Sequence, residues 1–233
     1  MTGRSMRWGA LAGTAYVVLI MVGNAMNVSG ESGRTDAASI LADVQNQANA
    51  VNQAGLVLEL LGFVAYLFFL GALYRAMRTA EGAHGWLSDA AFGAGLCAVA
   101  VKIASAAPTM AASYRRDELS PELARTLVDL GGAAFILSGL LTAVFVLAAA
   151  SSAHASGLLP HWLTRSGIVV SVVGLVTPLV GAVSPSDYVP VPFLLCLVWV
   201  AVTGIVLARR PLVTARRDDS GGSAARSTAA ARA

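Results

Sequence analysis

An all-α membrane protein, with six transmembrane helices in one bundle and both termini cytoplasmic, is the fold this sequence predicts. Three observations carry the prediction. Of 233 residues, 56% are hydrophobic and only 12% are charged, against about 25% charged in ordinary soluble domains. The mean hydropathy is +0.68. The apolar residues gather into six runs, each near the ~20 residues a helix needs to cross a ~30 Å hydrocarbon core. So few charges could not cover a soluble surface, and the apolar content is too high for disorder. Cys97 and Cys196 both stand inside apolar runs, which excludes a disulfide scaffold and a CxxC zinc site.

The first span runs from Trp8 to about Val28. Arg4 and Arg7 before it, with Gly23-Asn24-Ala25 as a weak cleavage site, also suit a signal peptide. The run is long and no large secreted domain follows, so it reads as a retained helix. The second span runs from about Ala54 to Tyr74. Ahead of it Leu41, Val44, Ala48, Val51, Gly55 and Leu58 recur at alternating spacings of three and four, a helical seam that extends this helix back towards Asp36. The third runs from Trp86 to about Ala107, and the fourth from about Asp129 to Ala150. Ser120-Pro121-Glu122 offers an N-cap, a first-turn proline and a first-turn acid, so the fourth helix also starts early. The two extensions are expected to pack together as a cap on the outer face. In the fifth span, Leu163 to Val183, the Thr177-Pro178 pair is expected to make a kink. The sixth, Val189 to Ala208, opens at Pro190-Val191-Pro192, where a missing N–H does no harm. Residues 1–208 thus form a single membrane domain. Residues 209–233, rich in Ala, Ser, Gly and Arg, read as a disordered basic tail.

Orientation follows from the basic residues. Arg4, Arg7, Arg75, Arg78, Arg165 and the six arginines from Arg209 onward fall on one side, which is therefore cytoplasmic. Only Arg34, Arg115, Arg116 and Arg125 fall on the other. Glu31, Asp36, Asp43, Asp117, Glu118, Glu122 and Asp187 share that outer side.

Charges inside a span cost about 2.5–3.5 kcal/mol each at a helix centre and need a reason. Three stand out: Glu59, Lys102 and Asp129. With the spans bounded as above, all three fall near one depth, ~7 Å or less below the outer boundary, on three consecutive helices. A Glu59–Lys102 pair with Asp129 as second acid is expected. Gln45, Asn49, Asn52, Glu59 and Tyr66 share one helical arc. Asn49 and Asn52 therefore join the candidate binding residues. Gly95, Ala98, Lys102, Ser105 and Thr109 share a small-residue face, and Gly132, Ile136, Gly139 and Ala143 line up with Asp129. Small residues let helices approach closely in lipid. Two readings of the charges stay open: an ion pair that fixes which helices are neighbours, and a polar pocket for a ligand, an ion or a proton.

Gly9 and Gly13 form a GxxxG, and Gly167, Gly174 and Gly181 repeat every seven residues with Ser171 on the same face. Both patterns predict close packing, within the bundle or in a homo-oligomer. Asp89, one turn into the third span, is expected to face the helix N-terminus. His84, His154 and His161 fall in cytoplasmic loops without HxxxH or HExxH spacing, so no metal site is expected. No GxSxG, P-loop, GxGxxG or paired catalytic acids occur. An enzyme is therefore not expected, and neither is a cofactor. The basic residues are those the orientation rule requires, so they do not point to nucleic acid. What remains is a ligand-, lipid- or partner-binding membrane protein, a small proton- or ion-coupled transporter using Glu59, Lys102 and Asp129, or an intramembrane enzyme without a visible catalytic set.

Ala72-Leu73-Tyr74-Arg75 closes the second span, and Gly157-Leu158-Leu159-Pro160-His161-Trp162-Leu163 leads into the fifth. With six spans and a polar outer extension before the second, the chain from Trp8 to Ala208 resembles a broad group of uncharacterised multi-pass membrane proteins of high-GC bacteria, catalogued as a domain of unknown function. The resemblance implies this architecture and a place in the plasma membrane. It implies no catalytic residues.

Overall fold

The computed structural model describes residues 3–26, 36–47, 49–82, 85–115, 117–184 and 189–210. Val28, Glu31, Arg34, Ala48, His84, Arg116, Asp187 and the tail from Pro211 onward lie outside the described residues, as do the side chains of Arg4 and Thr109.

Seven helices make up the described chain: α1 (Gly3–Met26), α2 (Ala37–Gln47), α3 (Ala50–Glu81), α4 (Leu87–Tyr114), α5 (Pro121–Ala155), α6 (His161–Val183) and α7 (Val191–Arg209). All but α2 are long and apolar enough to cross a membrane, and there is no strand among the described residues. The all-α, six-span expectation holds. Around the bundle the order is α1, α3, α4, α5, α6, α7 and back to α1, with α5 also touching α3 and α7 across the middle.

Small residues set the register between neighbours. A Cβ at Gly9 would meet Ala72, one at Gly13 would meet the Phe69 ring, and one at Gly23 would meet Gly55 and Glu59. As the α1 numbers rise the α3 numbers fall, so the two helices are antiparallel. Thr14 Oγ1 donates to the Ala201 carbonyl at 3.0 Å, tying α1 to α7. On α6, Gly167, Ser171, Gly174 and Gly181 are all buried. Gly174 faces Ala143 of α5 and Cys196 of α7, and Gly167 faces Ala150 and the Trp199 indole. Both glycine rows are thus consumed inside one chain, and a homo-oligomer would have to use other surfaces. Outward-facing Phe68, Val169, Val172 and Leu195 are exposed, as lipid-facing side chains should be.

The two ends differ. At one end α3, α4 and α5 exceed the span length; α5 has 35 residues, about 52 Å at 1.5 Å per residue. There α2 packs across α4 and α5, and Val44, Ala112 and Ala124 are buried. This is the helical cap that the extensions predict, built differently in two places. The seam from Asp36 is two helices, not one. Asp36 Oδ2 accepts from the Ser39 N–H at 3.2 Å at the start of α2, and Asn49, extended, accepts from the Asn52 N–H at 2.9 Å at the start of α3. An Asx side chain that serves an unpaired helical N–H competes with continuing the helix through it. The second difference is α4, which does not stop near Ala107 but runs through Pro108 to Tyr114. Pro108 offers no N–H to the carbonyl four residues back, and packing of the extended turn against α2 and α5 offsets that loss. The Ser120 cap is as expected: its hydroxyl accepts from the Leu123 N–H at 3.3 Å, with Pro121 opening α5.

Close approach at Gly167 makes two predictions. Trp199 Nε1 donates to the Leu163 carbonyl at 2.8 Å within the interior, so Trp199→Phe should lower unfolding stability by about 1 kcal/mol. Gly167→Ala pushes a methyl into that indole and should cost about 1–3 kcal/mol. Denaturant unfolding of the detergent-solubilised protein, followed by tryptophan fluorescence for Gly167→Ala and circular dichroism for both, measures each loss.

Candidate functional site

Lys102 leaves α4 on its inward face. The residues that receive it come from α1, α3, α5 and α7: Tyr16, Phe63 and Tyr66, Ser138 and Thr142, Phe193 and Leu197 line the same small cavity. The ammonium nitrogen stands 4.0 Å from the centroid of the Phe135 ring, within the range of a cation–π contact. Phe135 is braced in turn by Phe193, edge to face at 5.3 Å. Tyr66 packs against Tyr16 at 4.9 Å and against Phe145 at 5.9 Å, so an aromatic wall closes the cavity on the side away from the cation. Room for the centre of a water-sized sphere amounts to ≈ 10 Å³, about what one water molecule needs.

The local chemistry of α5 decides what the cavity offers. Ser138 Oγ donates to the Phe135 carbonyl at 2.6 Å and Thr142 Oγ1 to the Ser138 carbonyl at 2.8 Å. Their protons are committed to the helix backbone, so the hydroxyls present lone pairs to the cavity. Among the described residues, the Lys102 ammonium makes no hydrogen bond and no close ion pair; its contact is the Phe135 face.

The structure brings Glu59 and Lys102 to one level. A Cβ at Gly95 would meet Tyr66 and Leu70, and the same antiparallel register carries Lys102 to the turn between Glu59 and Phe63. The Glu59 charge acts on both Lys102 and Tyr16, while its side chain packs at Gly23 of α1. Asp129 is not brought in. It is exposed and lies 3.8 Å from Arg125 one turn earlier on α5. The register that sets Gly95 against Phe145 puts Lys102 level with Ser138 and leaves Asp129 roughly 13 Å nearer the α2 end. The expected common depth assumed that α4 ends near Ala107; its extension to Tyr114 moves Lys102 deeper than Asp129. Asn49 and Asn52 also stand apart, ~15 and ~10 Å before Glu59 along α3, where they form the helix cap.

Sequence reasoning missed Phe135, Phe193 and Tyr16 as the groups that surround the lysine. An aromatic residue in an apolar run carries no signal until the register between helices is known. It also missed the partners of Asp89, which stands in the first turn of α4 as expected. Asp89 accepts from Tyr74 Oη at 2.9 Å and pairs with Arg78 at 3.7 Å. A second acid at the α4 N-terminus is Glu81, whose Oε2 accepts from the Ser88 N–H at 3.2 Å.

Two variants separate the interior cation from the exposed pair. Asp129→Asn should leave unfolding stability within about 0.5 kcal/mol, because exposed ion pairs contribute little. Phe135→Leu removes the ring beneath a partly desolvated ammonium and should cost about 1–2 kcal/mol. Thermal and denaturant unfolding in one detergent compares them directly.

Compared with known proteins, the chain matches no family model, no curated protein and no solved structure, so its functional reading rests on the residues themselves.

Proposed function

We propose that this chain is a non-enzymatic multi-pass protein of a bacterial plasma membrane, belonging to the high-GC group it resembles, with both termini in the cytoplasm. It binds a small ligand, a lipid or a partner protein through the half of the bundle that holds Glu59 and Lys102. One observation carries this reading: half-buried Lys102 holds its ammonium over an aromatic face at the edge of a small cavity, without a hydrogen bond or close ion pair among the described residues. An interior ammonium is costly in a membrane helix. A cation that makes no close ion pair among the described residues fits a group that meets its counterpart on a ligand. The cavity holds no more than a water, so a larger ligand that reaches the lysine displaces side chains that line it.

A second reading, proton- or ion-coupled transport, is favoured by the reach of the Glu59 charge to both Lys102 and Tyr16. In that reading Glu59 takes up a proton from one side of the membrane and releases it to the other, and Lys102 responds to the change of charge on the acid.

A thermal-shift screen of the purified protein against lipids and small acids tests the first reading. A ligand at 100 times its Kd raises stability by about 2.7 kcal/mol. The shift should vanish in Lys102→Ala and persist in Asp129→Asn; a shift that persists in Lys102→Ala overturns the assignment. Transport instead predicts that Glu59→Gln keeps its melting temperature while flux in proteoliposomes disappears. If the two charges only fix helix neighbours, each single change lowers stability and the double change recovers part of the loss.

A further inference from the structure

At the opposite end of α5 the chain turns through Gly157, in the left-handed region at φ 65°, and re-enters the bundle as α6. The turn brings together two histidines that lie seven apart in sequence. His154 sits in the last turn of α5 and His161 opens α6, with ring centroids 5.5 Å apart and planes inclined at 71°. Both are exposed.

A third side chain sets the chemistry of the pair. Thr164 is fully buried, and its hydroxyl donates to the His161 carbonyl at 3.1 Å. Thr164 Oγ1 also lies 3.1 Å from His154 Nδ1. In the tautomer with its proton on Nδ1, His154 donates to this hydroxyl and its Nε2 keeps the lone pair. Histidine ligands of metals are held in this way, with the far ring nitrogen donating to a fixed acceptor. Two imidazoles sharing one ion at 2.0–2.1 Å place their centroids about 5 Å apart, close to the separation found here. The neighbouring cation is Arg210, whose Nη1 donates to the Gly157 carbonyl at 3.4 Å. It repels ions held by charge alone, while nitrogen donors retain those that prefer imidazole.

We propose that His154 and His161 form a two-imidazole site for a borderline divalent metal ion of the Zn²⁺ type at the α5–α6 turn, with Thr164 as the positioning residue. Waters complete the coordination, so the site is open on its solvent side. It shares no residue with the Lys102 cavity and does not depend on the function proposed for that cavity.

The test uses the full chain in detergent, purified without a polyhistidine tag, stripped with chelator and titrated with ZnCl₂ by calorimetry. One ion per chain is expected. His154→Ala and His161→Ala, both at exposed positions, should each weaken binding at least tenfold. Thr164→Val should weaken it about tenfold, and Thr164→Ser, which keeps the hydroxyl, should restore it. MgCl₂ at the same concentration should not compete. Absence of saturable Zn²⁺ binding overturns the proposal and leaves the ring contact as packing only. Unchanged binding in the double His154→Ala, His161→Ala variant also overturns it, by placing the ion elsewhere.

Discussion

Helices that meet in lipid gain no hydrophobic drive from doing so, and their attachment depends on close approach. In this chain that approach is made by glycine and alanine at fixed heights. Gly9, Gly13 and Gly23 admit α3 to α1; Gly95 admits Tyr66 and Phe145 to α4; Gly167 and Gly174 admit α5 and α7 to α6. Each contact fixes a register, and the registers together close the ring. What remains outside, including Phe68, Val169 and Val172, has no protein partner and needs none in an acyl environment.

Close packing leaves little room for polar groups, and most are satisfied within their own turn of helix. Ser138, Thr142, Ser166 and Ser171 each donate to a carbonyl three or four residues back. Longer bonds stitch separate helices together: Thr14 to Ala201 and Trp199 to Leu163. Lys102 follows neither pattern. Its charge is met by a π face and by the field of Glu59, which is the arrangement least like a structural ion pair. That contrast with the satisfied hydroxyls around it is the reason the functional reading centres there.

The six spans were legible because lipid imposes a length and a composition that any sequence window can register. The Ser120 cap was legible because its chemistry is local. Heights of residues relative to one another were not. Asp129 and Lys102 looked level on hydropathy, yet α4 continues through Pro108 and the two stand about two and a half turns apart. The partners of Asp89 were hidden for the same reason: Tyr74 and Arg78 on α3 reach it, a contact between helices that spacing within one helix does not encode. The break at Asn49 was ambiguous in sequence, since the seam of apolar residues runs on through it and only the side-chain cap interrupts it.

The Lys102 cavity has α4 as one wall and α5 as another. Phe135, Ser138 and Thr142 belong to α5, which is held by α3, α6 and α7 as well as by α4. Moving α5 would disturb the Ala143 and Ala150 contacts with the α6 glycines. On α4 the glycine contact is Gly95, two turns deeper than Lys102, while Pro108 interrupts the backbone ladder six residues beyond it. Pro108 therefore lies between Lys102 and the outer end of α4, and Gly95 seats the helix on the other side of the lysine. Above that segment α2 rests on both α4 and α5, and its junction with α3 is the short capped break at Asn49. The cap and the proline thus bear on the same part of the bundle. Asn49 and Asn52, which sequence reasoning placed in the binding site, belong instead to the N-terminal cap of α3.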